Sequence, residues 1–521
     1  MRRSVLAACA LALITTISAV AADRVTVELP QDQAGLPGRG AMSGRMVVFL
    51  KSVRSRERGD PATGPFFSDP QPIFSVPVAS LKPGVVVEVG AEAAKWPGPM
   101  EALDGDFTAQ AVFRRSRDEG AVLAPGNLVS EPVSVTLRRD ADDTLELKLA
   151  AVVPPMETPE SPQIAWIDEP SPMLTRALGR VVRHRAAVVF PRGYHDVNHP
   201  RRVWPTVYVI PGFGGRMDRA VELARLLHTP EATLAMPQAV HVVLDPEGPF
   251  GHHGFADSVM NGPRGAALVQ ELIPMLEERY RLVRTPEARL VTGHSSGGWS
   301  SLWLMLTNPD FFGGCWSSSP DPVDFAAFQQ SDLYRDANLF VGADGEDRAS
   351  FRRPLGDLEK VLMTVREEMG MEHAIDPHGG SGQQWDAWCA MFSPADPATG
   401  MPKALCDPAT GVVDRALVDD AWSAYDISRL VERRWSRLDP VLRDKVHLLV
   451  GDRDNFYLER AVRLLVRKVD ALRAATGAPQ AAGTGFIEFL PGATHDTGAA
   501  IARGRFALDM RRHLKAHGLG D

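Results

Sequence analysis

Beyond residue 150 the chain alternates short, unbroken apolar runs with stretches whose apolar residues recur every three or four positions. Ala186–Phe190, Thr206–Ile210, Val240–Leu244 and Ala288–Thr292 are the apolar runs, and such runs bounded by turn residues predict buried strands. Between the last two, residues 265–280 carry Leu268, Leu272, Met275 and Leu276 at helical spacing. Alternation of this kind predicts a mostly parallel sheet with helices on both faces. Residues 23–150 have a different pattern. Met46–Leu50, Val85–Val89 and Val133–Leu137 are short runs rich in β-branched residues, separated by Gly, Pro and Asp, and they predict an all-β, sandwich-like accessory domain. Residues 151–175 hold Pro154, Pro155, Pro159, Pro162, Pro170 and Pro172, which favour extended backbone and predict a linker. The α/β domain is expected over 176–521.

The first 22 residues change the picture of the compartment. Arg2 and Arg3 precede the apolar stretch Val5–Val20, which ends in small residues at Ala21 and Ala22. This is the pattern of a secretory signal, and it predicts a secreted or periplasmic mature chain with no membrane span. Cys9 leaves with the signal, so Cys315, Cys389 and Cys406 remain. Either Cys389 and Cys406 are bridged in an oxidising compartment or all three are free thiols. Net charge is −8 for the full chain, and −8 − 2 = −10 without Arg2 and Arg3. An acidic surface of that kind argues against nucleic acid as a partner.

One strand runs directly into candidate chemistry. Gly293-His294-Ser295-Ser296-Gly297 follows the strand at 288–292 and precedes the helical run 298–307, the context of a G-x-S-x-G nucleophile elbow. There a serine sits on a sharp strand-to-helix turn, flanked by glycines where backbones come close. Ser295 is the candidate nucleophile, and the N–H of Ser296 is placed to face developing negative charge. A serine hydroxyl needs a base, oriented by a carboxylate, and in this architecture the order along the chain is Ser, acid, His. The strand-like run Val446–Val450 leads into Gly451-Asp452-Arg453-Asp454. Asp454 is the candidate acid, with Asp452 the competitor. Phe486–Leu490 leads into Pro491-Gly492-Ala493-Thr494-His495-Asp496, which puts His495 on a loop past the last strand as candidate base. A second oxyanion donor is expected in Pro211-Gly212-Phe213-Gly214-Gly215, from the N–H of Phe213 or of Gly214.

Two further stretches bear on substrate. An insertion at about 325–438 contains Gly379–Cys389, polar and aromatic, suited to a specificity loop. Trp385 and Trp388 either stack on substrate or pack the insertion against the core. In Gly251-His252-His253-Gly254, His253 is a candidate at the rim of the site. The paired histidines lack a second ligand cluster, and His-Glu-x-x-His is absent, so neither a metal nor a cofactor is implied.

From about Arg185 to Asp496 the chain resembles the putative-esterase (esterase D-like) family of the α/β-hydrolase superfamily, which includes feruloyl esterases, S-formylglutathione hydrolases and mycolyl transferases. The residues carrying the resemblance are Pro211–Gly215, Glu271–Pro274, Gly293–Gly298, Ser317–Pro320, Gly451–Asp454 and Gly492–Asp496. The resemblance implies an α/β-hydrolase fold, with Ser295 as nucleophile, Asp454 as acid, His495 as base, and Phe213 and Ser296 as oxyanion donors. It implies a small-molecule or glycan-linked ester substrate and leaves the oligomeric state unknown. Many relatives have His-Gly where this chain has Pro211-Gly212. Acyl transfer to a sugar or other alcohol, and a non-catalytic binding protein on a hydrolase fold, are the alternatives.

Overall fold

The computed structural model describes residues 24–31, 40–139, 144–356, 358–477 and 483–519; the expected leader at 1–22 lies outside them. Five-residue apolar runs become strands because both faces of a central sheet are buried, so alternation is unnecessary. Eight strands form the sheet in the spatial order Ile164–Pro170, Arg183–Val189, Val240–Leu244, Thr206–Ile210, Arg289–His294, Gly314–Ser318, Val446–Gly451 and Phe486–Leu490. The first two strands are antiparallel to their neighbours. From Val240–Leu244 onward every pairing is parallel.

Helices cover both faces, as expected. On one face the helices Ser296–Thr307 and Glu459–Thr476 pack in the largest core cluster with Tyr208, Val242 and Val291. On the other, Ala220–Leu227 packs on Val243, and His495–Ala516 packs on Val207 and Leu290. Parallel strands deliver their carboxyl ends to one edge, so the loops after 210, 294, 318 and 451 converge there.

The proline-rich segment is only in part a linker. Residues 164–170 form the outermost strand of the sheet, paired along its whole length with 183–189. An edge strand tolerates a proline at its end, and Pro170 occupies that position. Pro172 opens the helix Pro172–Leu178, capped by the Ser171 side chain.

Residues 24–152 form a nine-stranded sheet that bends around a cluster including Val25, Val27, Met46, Val48 and Phe113. Part of its outer face is covered by the rest of the chain. Val47, Phe49, Ile73 and Val112 pack against Met363, Met371, Ala374 and Ile375, all from the insertion between strands 314–318 and 446–451. The insertion contributes a hairpin, Ala349–Leu355 with Leu358–Thr364, and the helices Val365–Ile375 and Gln384–Phe392. Cys315, Cys389 and Cys406 are buried and unbridged, which settles the disulfide alternative in favour of free thiols. Among the described residues no helix is long and apolar enough to cross a membrane.

Candidate active site

The strand Arg289–His294 ends in a turn that places Ser295 at φ 59° and ψ −126°, directly before the helix Ser296–Thr307. Positive φ in a non-glycine residue costs free energy and persists only where the surroundings enforce it. Here the flanking glycines permit it. A β-carbon on Gly297 would lie 2.0 Å from the carbonyl oxygen of Ile210, and one on Gly293 would lie 2.1 Å from the carbonyl oxygen of Gly297. The Ser295 N–H donates to the Ser318 carbonyl at 3.0 Å, pinning the turn to the next strand.

Asp454 follows the strand Val446–Gly451 and is fully buried. Its Oδ2 lies 2.7 Å from His495 Nδ1, and its Oδ1 accepts from the Phe456 N–H at 2.9 Å. Burial pushes the Asp454 carboxyl up, but His495 and these hydrogen bonds outweigh it and leave the group below its ordinary value. For His495 burial pushes the imidazole down, and Asp454 more than reverses that. Asp452 plays a different part. It accepts from the Gly492 N–H at 2.7 Å and so ties down the loop that leads to His495. His495 is not on a loop. It is the first residue of the helix His495–Ala516, which Thr494 caps, so a rigid element carries the imidazole. Its backbone N–H donates to Asn455 Oδ1 at 3.0 Å, and the Phe456 ring meets it edge-on at 5.0 Å.

Ser295, His495 and Phe213 line one cavity of about 570 Å³. Phe213 and Gly214 are the central residues of a turn closed by a 2.9 Å hydrogen bond from Gly215 N–H to the Gly212 carbonyl. Gly214 has φ 70°, the conformation a type II turn requires at that position. His252 braces this turn from beneath. Its Nε2 lies 2.9 Å from the Pro211 carbonyl, while the Gly254 N–H points at its Nδ1 at 3.1 Å. Burial pushes the His252 imidazole down to about 4, so the ring is neutral, donating from Nε2 and accepting at Nδ1.

Ser296 stands at the start of its helix, and its hydroxyl donates to Asp321 Oδ2 at 2.7 Å. The Trp388 indole N–H donates to the same oxygen at 2.9 Å. Asp321 is buried and lines the cavity, and burial pushes its carboxyl up to about 6.

Two substrate candidates are displaced. Trp385 is fully buried against Phe328 and Trp388 and does not line the cavity, whereas Gln384 and Trp388 do. The helix Gln384–Phe392 explains this: positions four apart share a face, and that face looks into the cavity. His253 is buried, accepts from the Phe255 N–H, and is likewise outside the cavity lining. Its neighbour His252 is the one that touches the site's framework.

Loops of the N-terminal region also reach the site or its framework. Phe67 lines the cavity and packs edge-on against Phe456 at 5.9 Å. Glu119, buried in a loop of the same region, ion-pairs with Arg185 and with Arg216, the residue after the Gly212–Gly215 turn. Arg216 Nη2 donates to Glu119 Oε1 at 3.0 Å and to Asp245 Oδ2 at 2.9 Å. Sequence carried no signal for either residue, since each partner lies far away along the chain.

A strained serine at the end of a parallel strand, in one cavity with a carboxylate-bound histidine, is the arrangement of a hydrolase. Residues 182–466, more than half of the chain, match the family described as "Putative esterase". The chain belongs to this family. It is a carboxylic ester hydrolase with an α/β-hydrolase sheet. Among solved structures, an S-formylglutathione hydrolase from Agrobacterium tumefaciens is 13% identical, with 70% of this chain and 97% of that one covered and a TM-score of 0.37. The fluorophosphonate-binding serine hydrolase FphF of Staphylococcus aureus is 12% identical over 66% of this chain and 98% of its own, with a TM-score of 0.37. A ferulic acid esterase from Anaeromyces mucronatus is 14% identical over 69% of this chain and 94% of its own, with a TM-score of 0.34. At such scores these likenesses assign no substrate.

Proposed function

We propose that this esterase works through a Ser295–His495–Asp454 triad and an acyl-enzyme intermediate. The observation that carries the reading is the 2.7 Å contact of a buried Asp454 with His495 Nδ1, in the cavity that also holds the strained Ser295. With Nδ1–H given to Asp454, the free Nε2 takes the Ser295 proton as Oγ attacks the ester carbonyl. The N–H groups of Ser296 and Phe213 hold the resulting oxyanion. When the carbon–oxygen bond to the alcohol breaks, the imidazolium returns that proton to the departing oxygen. Water then gives a proton to His495, its hydroxide oxygen attacks the acyl carbon, and the acid leaves as Ser295 regains its proton.

The same reading makes residues 1–22 an export signal and residues 24–152 a sandwich-like domain built into the enzyme. Phe67, which lines the cavity, and Glu119, which holds Arg216 beside the Gly212–Gly215 turn, support that second part. Labelling by a fluorophosphonate probe tests the triad. Wild type is expected to label and Ser295→Ala, with an unchanged circular dichroism spectrum, to be silent; equal labelling of both would refute the assignment.

A further inference from the structure

The cavity at Ser295 continues along the sheet. Val207, Val209, His241, Val243 and Thr292 also line it, and strand alternation puts all five on one sheet face. They lie on three adjacent strands, at the centre of the sheet. In a packed α/β domain helices cover such a face at near-crystalline density. Here the cover is split. The helix Ala220–Leu227 packs with Val243 in one cluster, and the helix His495–Ala516 packs with Val207 in another. Between them, Leu223, Leu226 and Met236 on one side face Phe506, Ala507 and Met510 on the other across the cavity. Val209 remains only half-buried although its strand has neighbours on both sides.

Empty space lined by aliphatic side chains is destabilising unless something occupies it. The polar groups on this stretch are already satisfied or neutral. The Thr292 hydroxyl donates to the Trp316 carbonyl at 2.7 Å, and burial pushes the His241 imidazole down to about 4. The sheet face itself therefore calls for no charged or hydroxylated ligand, and of the charged residues that share the lining, Arg219, Glu222, Asp496 and Arg503 are exposed to solvent. Around Ser295 the other wall is polar, with Asp321, Gln384 and the Trp388 indole. The two directions that leave the serine thus differ in chemistry, and an ester extends from its carbonyl in two directions.

We propose that the sheet-face channel holds an aliphatic acyl chain and that the polar wall takes the alcohol, so the preferred substrates are medium- to long-chain fatty acyl esters of a hydroxylated alcohol. This rests on the Ser295 reading given above. The whole cavity, about 570 Å³, falls in the range of sites that enclose a ligand of that size.

The test compares kcat/KM for p-nitrophenyl acetate, butyrate, octanoate and laurate, with decyl acetate as a long-alcohol control. Wild type is expected to favour octanoate over acetate by roughly tenfold or more, since each added methylene finds apolar wall. Two fillers, Ala507→Trp from one helix and Leu223→Trp from the other, are each expected to abolish that preference by lowering kcat/KM for octanoate and laurate relative to acetate. Having two variants guards against one that fails to fold. A flat or acetate-favouring wild-type profile would overturn the channel, as would fillers that slow every ester equally. Selective loss of decyl acetate would show that the channel takes the alcohol, and would also overturn it. In all these cases acetate hydrolysis that vanishes in Ser295→Ala leaves the triad standing, whereas acetate hydrolysis that survives in that variant sinks the triad itself.

Discussion

Replacing Glu119 by Gln removes a charge that lies far along the chain from the reacting atoms and yet should slow the enzyme. Glu119 is 6% exposed and contacts the guanidinium groups of Arg185 and Arg216. Burial pushes its carboxyl up, but the two arginines outweigh that and hold it below its ordinary value. Taking one partner from a buried ion pair generally costs about 3–5 kcal/mol. Asp245 still holds Arg216 in the variant, and the amide keeps one acceptor oxygen, so a loss of about 3 kcal/mol in urea unfolding at pH 7 is expected. Because the native carboxyl is depressed, its contribution is present above the unfolded value near 4.5 and fades as pH falls through the native one. The gap between wild type and variant should therefore narrow in acid. Arg216 directly follows the Gly212–Gly215 turn, so a loosened guanidinium loosens the expected oxyanion donor. Deleting such a donor costs about a hundredfold or more; displacing it should cost about tenfold in kcat, or about 1.4 kcal/mol, with KM for p-nitrophenyl acetate little changed. A variant that loses stability and keeps full kcat would refute the coupling to the turn. One that loses neither would refute the whole account of this ion cluster.

Other expectations concern protons. His495 must be neutral to act as base, and Asp454 raises its imidazole above the ordinary 6.5, so the acid limb of kcat/KM should have its midpoint above 6.5. Asp454→Asn should shift that midpoint downward and lower kcat by roughly a thousandfold or more; an unshifted midpoint would mean that another group titrates. Glu368, buried within the insertion on the helix Val365–Ile375, is pushed up from 4.5 to about 7 by burial. A raised carboxyl gives stability that is present below 4.5 and lost as pH rises through about 7. Over that window the loss is on the order of 3 kcal/mol. Glu368→Gln should flatten the decline in melting temperature from pH 5 to pH 8, and an unchanged slope would count against this assignment.

Much of the site could be read from the chain because its constraints are local. The elbow needs glycines at 293 and 297 within a few ångströms of other backbone, and the acid and the base each follow a strand whose apolar run marks its end. Spacing from Gly451 favours Asp454 over Asp452 without excluding the latter. What separates them is which way each side chain leaves its turn, one toward His495 and the other toward Gly492. Trp385 and Trp388 posed the same problem in a helix, where three residues of rotation decide between core and cavity. The pattern points to His253 rather than His252, yet only three-dimensional packing determines which of two adjacent side chains meets the Pro211 carbonyl. The strand at 164–170 was hidden by nearby prolines, which an edge strand accommodates at its end. Glu119 and Phe67 were out of reach because their partners are set by the docking of two sheets, and no periodicity records that.

The central claim is that Ser295 carries the acyl group through the reaction. Rapid acid quench of the enzyme with p-nitrophenyl butyrate, followed by intact-mass and peptide mass spectrometry, tests it directly. The expected result is a stoichiometric burst of p-nitrophenol with one butyryl group on the peptide containing Ser295, and neither in Ser295→Ala. A butyryl group on any other residue, or full turnover with Ser295 replaced, would contradict it.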